Sequence, residues 1–96
     1  MKIICIGRNY IEHAHELNNP VPENPVFFLK PDSSLLKSNK PFFYPKFSAD
    51  IQYELEFVLR IVKVGKSVPE RFASRYYDAV AIGIDFTARD MQNDCK

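Results

Sequence analysis

The chain has 96 residues, with 13 Lys and Arg against 12 Asp and Glu, for a formal net charge of +1. Hydrophobic residues make up 46% and charged residues 26%, and 8 Phe with 5 Tyr exclude a disordered chain. So even a charge balance argues against nucleic acid as the main partner, because neutralising phosphates needs a clustered basic excess. There is no apolar window of the length a membrane-spanning helix needs. Residues 1–7 hold only four apolar residues in a row, short of the about 7–15 in a secretory signal core. Cys5 and Cys95 match no metal-ligand spacing. Two thiols without a secretory signal point to a reducing compartment, with a cytoplasmic location expected, although a Cys5–Cys95 bridge stays open.

In chain order, residues 2–7 predict a short strand. Asn9 then caps a short, thinly apolar helix over 10–17 that stops at Asn18-Asn19-Pro20. Six of the 7 prolines fall between residues 20 and 45, so this third of the chain must be loop and short strand. Within it, Val26-Phe27-Phe28-Leu29 reads as a buried strand. From 51 to 64, Tyr53, Leu55, Phe57, Leu59 and Ile61 alternate with Glu54, Glu56, Val58, Arg60 and Val62, the period of a strand that Gly65-Lys66 breaks. Pro69 opens a helix whose apolar stripe runs through Phe72, Ala73, Tyr76, Tyr77 and Val80. Residues 79–86 read as a second buried strand. Thr87 caps a final helix, with Asp90 three residues on.

Several residues could carry chemistry. Glu54 and Glu56 point the same way from one strand, with Cα atoms about 6.6–6.8 Å apart. Like charges so placed repel unless a cation lies between them, and oxygen-only ligands favour Mg²⁺, Mn²⁺ or Ca²⁺ over zinc. The plainer alternative is the solvated face of an edge strand. Asp85 closes an apolar strand just before a helix, where it serves either as a third oxygen ligand or as a turn residue. His13 and Glu16 share a helix face, as a general base and its carboxylate or as a weak surface pair. His15 cannot join His13 on one ion, since i and i+2 point about 200° apart. Lys30 is an anion contact or the polar end of a strand. Arg89 and Gln92 lie on one helical side after Asp85 and hold an anionic group or are ordinary surface residues.

The order of these segments is more informative than any one of them. Gly7-Arg8-Asn9-Tyr10 with His13 and Glu16 resembles the G-R-N-Y-x-x-H-x-x-E opening of the fumarylacetoacetate hydrolase family. Pro25-Val26-Phe27-Phe28-Leu29-Lys30-Pro31 is similar to its P-x-x-F-x-K-P strand. Tyr53-Glu54-Leu55-Glu56 resembles its Y-E-x-E-L metal motif, with Phe57 where Leu is usual. Asp85-Phe86-Thr87-Ala88-Arg89-Asp90-Met91-Gln92 resembles its D-x-T-A-R-D-x-Q segment.

The resemblance implies an α+β fold, a mixed β-roll or barrel-like domain that is β-rich with short helices, paired as a homodimer. Residues 1–96 would be the N-terminal part of one such catalytic domain, incomplete at its end, with the 26–29 and 51–64 strands left without partners. It implies Mg²⁺ or Mn²⁺ on Glu54, Glu56 and Asp85, with His13 and Glu16 as catalytic residues orienting and deprotonating a water. Lys30, Arg89 and Gln92 would bind substrate or support the site. The implied substrate is a small keto acid. The implied activity is metal-dependent C–C hydrolysis of 2,4-diketo acids (acylpyruvates), together with decarboxylation of oxaloacetate. The alternatives are a metal-dependent isomerase or tautomerase of keto-enol acids and a non-catalytic relative.

Overall fold

The computed structural model describes residues 1–10, 15–18, 20 and 23–95. It divides into two compact units, Met1–Phe42 and Phe43–Lys96.

The first unit is built on β1 (Ile3–Gly7) and β2 (Val26–Lys30), paired antiparallel from Ile3↔Lys30 to Gly7↔Val26. This register puts Lys30 on one face with Cys5 and Phe28, while Ile4, Ile6, Phe27 and Leu29 share the other. Of the expected 10–17 helix, residues 11–14 lie outside the described residues and 15–16 are helical. The turn ends where expected. The Asn18 amide donates to the His15 carbonyl at 3.0 Å, and Asn18 takes the left-handed conformation (φ 54°) that terminates helices. The proline-rich span has β2 and a single 3₁₀ turn, Asp32–Ser34, as its regular elements among the described residues.

The second unit is a long antiparallel hairpin, β3 (Ile51–Ile61) and β4 (Tyr77–Ala88), followed by the short helix α1 (Arg89–Asp94). Both strands expected to lack partners therefore have one, β2 on β1 and β3 on β4. Backbone N–H and C=O groups impose this: an apolar strand left unpaired strands them, whereas a neighbouring strand satisfies a row at once. The ladder shifts register between Arg60 and Ile61, and the Val62 amide then donates to the Tyr76 carbonyl at 2.9 Å.

Two further expectations are corrected at the ends of β4. The helix expected from Pro69 through Val80 is a 3₁₀ turn over Glu70–Arg75, with the Arg71 and Arg75 guanidinium groups 4.8 and 4.6 Å from the Phe72 ring centre. Tyr77 to Val80 belong to β4 instead, since pairing with β3 supplies hydrogen bonds that a lone helical turn between strands cannot match. Thr87 does not cap α1: it pairs with Gln52 inside β4, and Ala88 stands at the cap with no side-chain hydrogen bond.

Opposite residues on an antiparallel pair share a face. Tyr53, Leu55, Phe57 and Leu59 therefore lie with Phe86, Ile84, Ile82 and Val80. This apolar face is open in the chain as it stands, with Tyr53 72% and Ile82 70% exposed, so the strands expected to be buried are not buried here. No helix among the described residues is long and apolar enough to cross a membrane.

Candidate active site

The other face of the hairpin carries the acidic residues. Glu54 pairs directly with Asp85, and Glu56 pairs with Gly83 two positions along. All three carboxylates thus rise from one face, near the end where β3 begins and β4 finishes, and each residue is half-buried. Gly83 opposite Glu56 presents no side chain, and Ala81 and Ala79 continue the row of small residues along β4. Glu56 therefore faces no bulky neighbour across the ladder.

Arg89, the first residue of α1, is buried at 8% exposure. Its Nη2 donates to Glu54 Oε1 at 2.8 Å, Nε to Gln52 Oε1 at 3.1 Å, and Nη1 to Gln92 Oε1 at 2.5 Å. The guanidinium fork thus spans two residues of β3 and one of α1, a geometry that suits arginine and not lysine. Gln52 precedes Glu54 by two residues and shares its face, which makes it legible from the same alternation that marks the glutamates. The sequence reading did not single it out.

A second cluster ties the ends of the hairpin together. Ser48 Oγ donates to Asp90 Oδ1 at 2.6 Å, and the amides of Ala49 and Met91 donate to Asp90 at 3.0 and 2.9 Å. The Asp50 amide donates to Ser48 Oγ at 3.2 Å, and the Arg89 amide to the Asp50 carbonyl at 2.8 Å. The hydroxyl of Ser48, then the Ala49 amide, hold the Asp90 carboxyl below the ordinary aspartate range. No sequence signal reveals this contact, which joins residues 42 apart.

A divalent cation can be tested against this face. The donor set is all oxygen and comes from two adjacent strands in register, so it suits a hard ion in its chemistry. The side chains as they stand do not close on one point: among the described residues no three carboxylate, imidazole or thiol groups gather tightly enough to cage an ion, and Glu54 leans to Arg89. Of the remaining candidates, Glu16 and Lys30 belong to the first unit, and His13 lies outside the described residues.

An antiparallel α+β scaffold with an acidic patch at the strand ends defines the class. A crystal structure from Oleispira antarctica, of a proposed fumarylacetoacetate isomerase/hydrolase, matches with a TM-score of 0.88 and 38% identity over 97% of this chain and 42% of that one. The family model described as fumarylacetoacetate (FAA) hydrolase, C-terminal, matches residues 2–96, and the chain belongs to this family. Oxaloacetate tautomerase FAHD1, mitochondrial, of Arabidopsis thaliana is 42% identical over 99% of this chain and 43% of its own length. The Homo sapiens protein of the same name is 37% identical over 98% of this chain and 42% of its own length. Oxaloacetate decarboxylase, mitochondrial, of Dictyostelium discoideum is 42% identical over 99% and 44%. The chain spans about two-fifths of the length of these relatives.

The expected cytoplasmic location does not stand, because these three relatives are named mitochondrial. The inference from cysteines failed for a physical reason. Neither described cysteine is in a disulfide, but a reduced thiol reports the redox state of a compartment and not which compartment it is.

Proposed function

We propose that this chain supplies the acidic half of the active site of an enzyme acting on oxaloacetate or a close 2-keto acid, by enol–keto tautomerisation. The observation that carries it is the β3–β4 register, which sets Glu54, Glu56 and Asp85 on one face with the Arg89 guanidinium against Glu54. The names of the relatives favour oxaloacetate as substrate and a mitochondrial setting. By resemblance the assembly is a homodimer.

In this reading Glu54, Glu56 and Asp85 hold Mg²⁺ or Mn²⁺. A divalent cation there supplies Lewis-acid stabilisation of negative charge on a substrate oxygen. Arg89 orients Glu54 through its hydrogen bond to Oε1. By resemblance, His13 and Glu16 would orient and deprotonate a water. Tautomerisation takes a proton from C3 and returns one to the C2 oxygen, and breaks no C–C bond. Decarboxylation instead breaks the C3–C4 bond, sending its electron pair into the three-carbon enolate of pyruvate as CO₂ leaves, which is the second reading and is favoured by the Dictyostelium relative. Hydrolysis of an acylpyruvate needs, in addition, a water attacking the second carbonyl.

The test uses the native full-length protein with oxaloacetate, following enol absorbance and CO₂ release separately, with Mg²⁺ and after chelation. Faster enol–keto exchange that Glu54→Ala abolishes supports the reading. Exchange untouched by Glu54→Ala and by chelation rejects it.

A further inference from the structure

Ser48 and Arg89 are the two buried polar residues among those described, and the carboxylate that holds Ser48 belongs to Asp90, the residue next to Arg89 in the chain. Asp90 accepts from the Ser48 hydroxyl, from the Ala49 amide in the segment leading into β3, and from the Met91 amide in α1. Beside it, the Arg89 amide bonds the Asp50 carbonyl, extending the ladder by one bond beyond Ile51↔Ala88. The backbone of Arg89 is thus fixed on both sides, by its own amide and by the anchored side chain of the next residue. The guanidinium leaves from this fixed point to reach Gln52 and Glu54. An arginine side chain has several rotatable bonds, so its head stays on Glu54 only if its base does not move.

We infer that the Ser48–Asp90 pair is a positioning device that sets Arg89, and through it the Glu54 carboxylate, in the geometry the active site uses. The pair touches neither substrate nor cation. Its effect is transmitted by the Arg89 backbone, and its functional consequence rests on the reading of Glu54 given above. The segment before β3 is also held by the Arg89 amide on the Asp50 carbonyl and by Tyr44, an exposed residue whose Oη accepts from the Ile51 amide at 3.1 Å.

The experiment compares wild type, Ser48→Ala, Asp90→Asn and Ser48→Thr in the native full-length protein. Mn²⁺ alone is titrated by paramagnetic resonance, the Arg89 Nε–H is followed by NMR, and kcat and KM are measured with oxaloacetate beside thermal stability. The inference expects Ser48→Ala and Asp90→Asn to lose roughly tenfold or more in Mn²⁺ affinity and in kcat, with little change in KM. The Arg89 Nε–H should lose its protection, and Ser48→Thr, which keeps a hydroxyl, should restore most of each loss. If stability falls while Mn²⁺ affinity, kcat and the Arg89 resonance stay within about twofold of wild type, the pair is only a structural tie and the inference is overturned. Should Asp90→Asn fail to fold, Ser48→Ala, which deletes one oxygen, decides alone. A wild type that neither binds Mn²⁺ nor turns over oxaloacetate rejects the functional reading instead. The Arg89 resonance then still judges the pair, since an unchanged signal in Ser48→Ala overturns it.

Discussion

Glu54 and Asp85 stand directly opposite each other on the β3–β4 ladder, so two acidic side chains from segments 31 positions apart in sequence share one face of one sheet. Like charges placed this way destabilise a sheet unless something positive attends them. In the chain as it stands, Arg89 attends Glu54 at 2.8 Å.

Removing one side of that arrangement should be costly in two ways. Glu54→Gln should lower stability by about 1–2 kcal/mol, because Arg89 is nearly buried and loses an ionised acceptor. It should also weaken Mn²⁺ binding, as should Asp85→Asn. Denaturant titration and a metal titration on the same samples read the two effects. Arg89→Lys should not rescue Arg89→Ala, since an ammonium cannot reach Gln52, Glu54 and Gln92 at once.

Chelation should abolish turnover of oxaloacetate by the full-length protein, and either Mg²⁺ or Mn²⁺ should restore it, because an oxygen-only donor set discriminates poorly between them. Zn²⁺ should restore less. Initial rates after dialysis and stepwise addition of each ion check the order.

Acid should loosen the segment before β3. Asp90 is held below its ordinary value of 3.8 by Ser48, then by the Ala49 amide. Its ionised form therefore stabilises the fold in full above that value, and the contribution is lost as pH falls below it through the lower folded value. Asp78, held down mainly by its hydrogen bond from Arg60, loses its contribution in the same direction. The stability gap between wild type and Asp90→Asn should be widest near neutrality and should close in strong acid. A gap that stays constant with pH would contradict the assignment.

Space around two glycines predicts opposite outcomes. A Cβ on Gly65 would lie 2.5 Å from Tyr76 Cε1 and 2.7 Å from Val68 Cγ2, whereas one on Gly7 would meet nothing closer than 3.8 Å. Gly65→Ala must push the Tyr76 ring aside and should cost about 1–3 kcal/mol. Gly7→Ala should stay within about 0.5 kcal/mol. Thermal unfolding of the pair measures the difference.

The alternation from Tyr53 to Ile61 was enough to place Glu54 and Glu56 on one face, because a strand's period is fixed by backbone geometry. It could not name the partner strand. The order of the family-like segments carried Asp85 to the same site. The stretch after Pro69 misled for a definite reason: Phe72, Ala73, Tyr76, Tyr77 and Val80 fit a helical stripe, but Tyr77 and Val80 are equally at home in a strand, and the long-range ladder with β3 settled the contest. Asp90 reads locally as part of a helix start, whereas its carboxylate is committed to Ser48 and Ala49. Nothing in the spacing of residues 48 and 90 encodes that meeting. It exists only once the hairpin has closed.

The register shift between Arg60 and Ile61 lies between the acidic base of the hairpin and its tip. A residue inserted between Gln52 and Glu56 would turn part of the acidic row over to the Tyr53 and Leu55 side, since one step along a strand reverses its orientation. A residue gained or lost within 62–76 lies beyond the shift and leaves the acidic row in frame, at whatever cost to the packing of the tip. Loop grafts, tags and reporter insertions therefore disturb the acidic row less at that tip than anywhere along Gln52 to Glu56.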